Sequence, residues 1–454
     1  MRFLLTLWLC KIIAAAIRLV APQRGTTFSG YVATRLMPDF LAHFRGVNPE
    51  KVIYITGTNG KSTTTNLLRH ILESAGKTVA CNLEGANMMG GAATTFLKNS
   101  TVTGRMKTEY VVLEVDERSL PGILKVLPCR HLGITNLQKD QAQRNGDPDF
   151  IVRKFRDCIG TDLTLYLSNE EPRSKALEQL GAPCVYYGLA SNRRTCQSRG
   201  RRDLTMPCPV CGHPIAYKAY NLVAVGPFAC THCDYGSMDV PDVWVDQVDF
   251  EAGTFQCAGE TYRVLYTEPC YLYNYAMILG LSRRLGLTTA EIQAGFETFV
   301  NPAARASVTR YHGKELHFMK CKQENPEASQ SLLDMIAVDK RPKAVMIGLY
   351  EIEDFDPFFA GSFYLFDCDL GPVIDSGITE YVAFSRTVAW DIANRLVYAG
   401  VDRKQIQVLD TNEIPAILET VDRLEPEVVY MVLEIEHDKA IQAYLSKHGG
   451  TEDE

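Results

Sequence analysis

Nothing in this 454-residue sequence is long and apolar enough to span a bilayer, since a helical span needs about 20 consecutive apolar residues. An excess of basic charge is also missing. Lys plus Arg number 47 against 54 Asp plus Glu, a net charge of −7, which excludes a general nucleic-acid coat. No internal repeats are visible. No cysteine lies in a Gly-x-Cys-x-Gly turn, the sharp turn expected of many cysteine nucleophiles in α/β folds, so the chain shows no glutaminase site of its own. The 46% hydrophobic and 22% charged content excludes a mainly disordered or collagenous chain.

What is present is enough for two or three domains of about 150 residues, with a core that needs no staples. Of the 14 cysteines, four form two Cys-x-x-Cys pairs and the rest are scattered. That distribution points to a reducing, cytoplasmic compartment rather than a disulfide framework. Met1 to Val20 is strongly apolar, but Lys11 and Arg18 interrupt it and fall on nearly one helix face. The pattern describes an amphipathic helix packed on the first domain, with contact to the inner face of a membrane as the sharper alternative.

From Lys51 the chain alternates strands and helices, which implies a parallel sheet with both faces covered. Val52–Ile55, Thr78–Cys81, Tyr110–Val115, His131–Thr135 and Leu163–Leu167 are the expected strands. An arginine-rich stretch with Arg193, Arg194, Arg199, Arg201 and Arg202 leads into the four paired cysteines. Helices are expected at Tyr271–Leu285 and Thr289–Phe299, a break at Asn301-Pro302, and then a second α/β pattern. Its strands lie near Glu315–Met319, Ala344–Ile347, Tyr381–Phe384 and Val428–Leu433. The division is residues 1–302, 303–454, and an insert at 203–240 within the first.

Gly57-Thr58-Asn59-Gly60-Lys61-Ser62-Thr63 joins the first strand to a helix. Such a turn aims backbone N–H groups and the positive helix end at one spot, the signature of a phosphate loop. Gly57 and Gly60 allow close approach, Lys61 places a charge on β/γ-phosphates, and a Ser62 or Thr63 hydroxyl can reach Mg²⁺. Two residues separate the glycines, where a Walker sequence has four. Glu114, Asp116 and Glu117 end an apolar strand, where a nucleotide-bound Mg²⁺ is held. Glu114 is the preferred metal ligand, with Asp140 a second acid near the phosphates. Cys208, Cys211, Cys230 and Cys233 form C-x₂-C-x₁₈-C-x₂-C, the spacing of a closed, structural Zn²⁺ site.

At Thr56–Thr63 the sequence resembles the Mur ligase superfamily of ATP-dependent ligases. Within it, Asn82–Met88, Glu114–Glu117, Thr135–Leu137 with Asp140-Gln141, the four-Cys insert and Arg395–Gly400 are similar to the MurT family, the synthetase subunits of lipid II isoglutaminyl synthase. The resemblance implies a Mur-ligase-type parallel-sheet ATP-binding domain, a zinc-ribbon insert and a smaller C-terminal α/β domain. It also implies the reaction: ATP activates the D-Glu α-carboxyl of the lipid II stem peptide as an acyl phosphate, and ammonia from a GatD-like glutaminase subunit converts it to D-isoglutamine. By the same resemblance Asn274 lies near the adenine, and Asp356 or Asp354 of the C-terminal domain serves the partner's Cys–His pair. The family's motifs are altered at Ala142–Asp147, Ala304-Arg305 and Glu353–Pro357. Two other functions fit the residues: a stand-alone ligase joining an amino acid to a carboxylate, and a nucleotide-gated zinc ribbon that binds nucleic acid.

Overall fold

A computed structural model describes residues 1–20, 27–82, 86–140, 147–198, 206–301, 306–321, 324–349, 365–448 and 451–452. Two units emerge. The first takes Met1–Gln138 and Asp147–Ala303; the second takes Ala304–Glu454 together with the short segment Lys139–Gly146.

The first unit is built on β1 (Val52–Thr56), β2 (Val79–Cys81), β3 (Tyr110–Glu114), β4 (His131–Ile134), β5 (Thr164–Ser168) and β6 (Cys184–Leu189). A small sheet of β7 (Met206–Pro207), β8 (Pro214–Tyr217) and β9 (Phe228–Cys230) interrupts it before β10 (Val243–Asp249), β11 (Thr254–Cys257) and β12 (Glu260–Arg263). The large sheet runs β2-β3-β1-β4-β5-β6-β10-β11-β12. It is parallel as far as β10, and β10–β11–β12 close it as an antiparallel meander. Strand order reverses at β1, which pairs with β3 on one side and β4 on the other. The carboxyl edge at such a reversal is where open α/β sheets bind ligands.

Successive residues of β1 serve opposite faces, and both faces are buried. Val52 and Tyr54 join one core; Ile53 and Ile55 join the other. This is why the strand reads as an unbroken apolar run rather than an alternating one. On the first face lie α1 (Arg2–Val20), α2 (Phe28–Leu36) and, beyond α3 (Lys61–Ser74) in the chain, α4 (Met89–Lys98). On the second face lie α3 and the helices Pro269–Arg284 and Thr289–Thr298.

Helix α1 packs on the unit as expected, but one of its two cations, Lys11, turns inward while Arg18 stays exposed. Leu7 and Cys10 are fully buried, and Lys11 points inward: its Nζ donates to Leu97 O (2.5 Å) and Ser100 O (2.9 Å) at the end of α4. The last carbonyls of a helix lack intrahelical partners and carry partial negative charge. Lys11 caps them, so this cation, which reads as solvent-facing in the sequence, is spent on the protein.

The second unit follows the same α/β logic. Its strands are β13 (Ala306–Tyr311), β14 (Lys314–Cys321), β15 (Lys343–Gly348), β16 (Ile378–Phe384), β17 (Ile406–Leu409), β18 (Val428–Glu434) and β19 (Thr451–Glu452). They order as β17-β16-β15-β18-β14-β13-β19, with β14 to β18 parallel and β13 antiparallel to its neighbours. The run Arg395–Gly400 ends helix Ala389–Ala399, with Gly400 as its C-cap. The Arg395 guanidinium is buried and donates to Leu365 O (3.1 Å) and Cys368 O (2.6 Å), pinning that segment to the helix.

One buried acid in the first unit sets a pH dependence. Glu170 follows β5; its carboxylate accepts from Leu189 N (3.1 Å) and from the Tyr273 hydroxyl, to which Asn221 Nδ2 also donates (3.1 Å). Burial pushes Glu170 from 4.5 up to about 7, against the opposing pull of these donors. Between those values the folded chain holds a proton that the unfolded chain has released, so stability falls as pH rises from about 4.5 to about 7. Glu170→Gln keeps an acceptor and removes the titration. Urea unfolding should show a flatter pH dependence in that window and a variant more stable than wild type at pH 8 by roughly 3 kcal/mol. Parallel pH profiles for the two proteins would exclude Glu170 as the source.

Candidate functional site

At the carboxyl end of β1 the chain turns through Gly57–Gly60 into α3. Gly57 lies at φ 120° and Gly60 at φ 86°, both in the left-handed range. Space is equally restrictive. A Cβ on Gly57 would stand 2.3 Å from Thr135 Oγ1, and one on Gly60 would stand 2.8 Å from Asn274 Oδ1. Asn274, expected near an adenine, is thus placed against the turn itself from the helix Pro269–Arg284.

The turn is held by the segment after β4. Thr58 N donates to Asn136 O (2.8 Å) and Asn59 N to Asn136 Oδ1 (3.0 Å), while Asn136 Nδ2 returns a bond to Asn59 O (3.1 Å). Gln138 N donates to Thr58 Oγ1 (3.0 Å), and Asn59 Nδ2 to Gln138 Oε1 (3.0 Å). Five bonds to one neighbouring strand end preform the loop. Gly60, as N-cap, offers α3 no side-chain cap, and a helix N-terminus of this kind suits an anion.

Lys61 is buried and arcs back over the turn. Its ammonium donates to Gly57 O, to Thr58 O (3.2 Å) and to Glu117 Oε1 (3.1 Å). Burial raises the Glu117 carboxyl above its usual range, and the Lys61 charge opposes that rise. Of the three acids after β3, Glu117 is the one joined to Lys61. Glu114 is fixed differently: Asn82 bonds its backbone in both directions (2.7 and 2.8 Å), and Asn87 Nδ2 donates to its Oε1 (3.1 Å). Asp116 accepts from Arg118 N (3.0 Å). Glu114 and Glu117 are hard oxygen donors buried beside a phosphate turn, a donor set that suits Mg²⁺. Thr63 Oγ1 accepts from Asn301 Nδ2 (3.5 Å); Ser62 is half-buried in the same first turn.

Asp140 belongs with the second unit, where Asn325 Nδ2 donates to its Oδ1 (3.3 Å). Asp354 and Asp356, with Ala304-Arg305 and Arg199–Arg202, lie outside the described residues. Arg193 and Arg194 are described and lie over the Phe250 ring at 4.6 and 4.9 Å, with Arg193 paired to Glu251.

The four cysteines converge. Cys208, Cys211, Cys230 and Cys233 place all four Sγ atoms within 4.8 Å of one another, with Cys211–Cys230 at 3.4 Å and Cys208–Cys233 at 3.9 Å. Sulfurs about 2.3 Å from a tetrahedral centre stand roughly 3.8 Å apart, so the cluster fits one Zn²⁺. Backbone N–H groups of Cys233 and His232 face the Cys230 sulfur and draw that thiol down to about 6. His213 and His232 stack on each other at 3.8 Å between ring centroids.

What the sequence did not reveal is where the insert leads. Tyr235 OH donates to Pro172 O (2.6 Å), and Asn221 Nδ2 to Leu189 O (2.9 Å). Gln138, which holds Asn59, donates its own amide to Val223 O (2.8 Å). The loop after the cysteine knuckle thereby supports the residue that supports the phosphate turn. Position is the signal that could have found Asn136 and Gln138: they follow the strand next to β1, on the edge where site residues gather.

The Mur ligase middle domain matches residues 55–150 and the MurT ligase C-terminal domain matches residues 323–434. The lipid II isoglutaminyl synthase (glutamine-hydrolyzing) subunit MurT of Staphylococcus aureus (strain COL) is 26% identical over 403 residues, 87% of each chain. The subunit of the same name from Streptococcus pneumoniae (strain ATCC BAA-255 / R6) is 25% identical over 416 residues, 90% of each. Among solved structures, a pseudomurein peptide ligase type C from Methanothermus fervidus superposes with a TM-score of 0.67 at 15% identity, covering 90% of this chain and 81% of its own. MurF from Acinetobacter baumannii gives 0.63 at 13% identity, covering 92% and 80%. At these identities the structures speak for the fold alone. The chain is similar to the Mur ligases in its first unit and to MurT over most of its length.

Proposed function

We propose that this chain is the ATP-dependent synthetase of a lipid II-amidating enzyme of peptidoglycan synthesis. The observation that carries the reading is the preformed turn Gly57–Gly60 with Lys61 and Glu117 across it, in a chain whose relatives are named as lipid II isoglutaminyl synthase subunits. ATP transfers its γ-phosphoryl group to a carboxylate oxygen of the stem-peptide D-Glu, releasing ADP. Ammonia attacks the resulting acyl phosphate; phosphate leaves, a proton is lost, and D-isoglutamine remains. Within this scheme the N–H groups at the start of α3 bind phosphate oxygens, Lys61 neutralises charge on the transferring group, and Glu114 and Glu117 hold Mg²⁺. The ion would supply charge neutralisation on the phosphates.

The name of the relatives includes glutamine hydrolysis, and this chain's cysteines lack a nucleophile turn. We therefore assign ammonia supply to a separate glutaminase subunit, reached through the C-terminal unit, with Asp356 as the group that orients the partner's histidine. Asp356→Asn should abolish glutamine-driven amidation, by about 10⁴ in rate, and leave amidation driven by high ammonium salt intact. Equal loss with both nitrogen sources would place Asp356 elsewhere. An amino-acid panel that supports turnover better than ammonia would favour a stand-alone ligase instead.

Lys61→Ala removes the charge aimed at the phosphates and should lower ATP-dependent amidation by about 10²–10³. Near-normal turnover in that variant, measured as ADP released with lipid II and ammonium salt, would overturn the phosphate-loop assignment.

Zn²⁺ in the four-cysteine cluster is structural in this reading, because four thiolates leave no open coordination position. Elemental analysis of protein purified without chelator should give one zinc per chain. Zinc binding in isolated fingers is worth about 10–16 kcal/mol, so Cys208→Ser should unfold the insert while the large sheet persists. Through Val223 and Gln138 the damage should reach the phosphate turn and raise the KM for ATP more than it lowers the melting temperature of the sheet. A metal-free insert with an unchanged KM would defeat both claims.

A further inference from the structure

Helix α1 keeps its polar business inside and leaves its apolar residues outside. Lys11 is spent on the carbonyls at the end of α4. The outward side carries Leu5, Trp8, Leu9, Ile12, Ala16 and Leu19, spaced at three and four residues into one continuous stripe. Leu5 is 57% exposed, Ile12 67% and Leu19 86%, with Trp8 and Leu9 close to half. Helix α2, packed on α1, adds exposed Phe28, Tyr31 and Leu36. No helix among the described residues is long and apolar enough to cross a membrane, so the stripe is not a span.

Charges near the stripe are mostly basic. Among the described residues α1 and α2 carry Arg2, Lys11, Arg18 and Arg35 and no carboxylate, in a chain whose net charge is −7, and Asp39, paired with His43, is the acid near Arg2. Helix α4, in contact with both α1 and α2, and the loop after it contribute Lys98, Arg105 and Lys107, with no acid between Glu84 and Glu109. This basic loop reaches α1: the Trp8 indole N–H donates to Val102 O (2.7 Å). Lys107 is close enough to add to burial in lowering the Lys11 ammonium. An exposed apolar stripe with an indole on it, bordered mainly by cations, matches the chemistry of a helix lying in the interface of an anionic bilayer.

We propose that α1 lies flat on an anionic lipid surface, its stripe in the boundary between headgroups and acyl chains and the surrounding cations against lipid phosphates. The inference deepens the reading above, in which the acceptor is lipid-linked: docking would keep the ATP-binding unit beside a substrate that cannot leave the membrane.

The test is sedimentation of the full chain with vesicles of phosphatidylcholine alone or mixed with phosphatidylglycerol. Binding is expected with phosphatidylglycerol, weaker without it, falling as salt rises and indifferent to ATP. The L5S/L9S/I12S variant should bind on the order of a hundredfold more weakly, from the apolar area lost. It should melt at the wild-type temperature, since these side chains are exposed. If it does not, Arg18→Glu with Arg35→Glu, also at exposed positions, should remove the phosphatidylglycerol dependence. Failure of the wild-type chain to bind phosphatidylglycerol vesicles overturns the proposal, as does undiminished binding by both variants. A dimer that dissociates in the triple variant, without vesicle binding, would show that a second copy covers the stripe, and also overturns it. Amidation of detergent-solubilised lipid II should survive in the triple variant. Loss of amidation in wild type despite vesicle binding would count against the ligase reading and leave the docking intact.

Discussion

The hydrogen bonds between the Gly57–Gly60 turn and Asn136–Gln138 are what the site depends on. They exist because β1 and β4 are parallel neighbours, so both chains leave the sheet at the same edge and in the same direction. Backbone amides in a turn are useful to a phosphate only if they are aimed before it arrives; otherwise binding has to supply the ordering. Here Asn136 satisfies the turn on the side away from α3, and the two glycines supply backbone that no side-chain-bearing residue takes up without strain. Lys61 then has a fixed place to return to, between the turn's carbonyls and Glu117.

The acids of the first unit show how one residue type takes different roles by surroundings. Glu114 is anchored by asparagines on either side of it, Glu117 faces a lysine, and Glu170 faces only neutral donors. Burial raises both Glu117 and Glu170, Glu170 to about 7, but only Glu117 has the Lys61 countercharge to oppose the rise. A carboxylate meant for a cation must remain ionised, which argues that the metal-binding acids are those near Lys61 rather than the more deeply isolated Glu170.

Much of this was legible in the sequence, for identifiable reasons. The parallel strands β1, β3, β4 and β5 are short, largely apolar runs followed by polar residues, and the glycine turn and cysteine pairs are short motifs with local geometry. The antiparallel meander β10–β12 was missed because its strands are mixed in polarity, with Gln247 and Asp249 inside β10 and Glu260 opening β12. Asp140 could not be assigned from position alone, since it groups with the second unit, where Asn325 bonds it. The path from the insert to the turn, through Val223 and Gln138, joins residues 85 apart, and no local pattern announces a contact of that kind.

The first helix carries the most general lesson. Two cations on one face of an otherwise apolar helix read as its solvent side, because charge prefers water. That inference omits the other solvent available to a charge, which is the carbonyl end of a neighbouring helix. Lys11 finds two carbonyls at the end of α4, at 2.5 and 2.9 Å, and a lysine so placed gains hydrogen bonds and a favourable dipole at once. Once that bond is made, helix rotation is fixed. Leu5, Ile12 and Leu19, which lie roughly a quarter to a third of a turn round the helix from Lys11, then face outward. A helix in water gains nothing from such an arrangement, and the apolar area it exposes is a standing cost. The cost is offset only where the outside is not water. The inward lysine and the outward stripe are therefore a single feature, and the cations that border the stripe indicate an anionic surface as its counterpart.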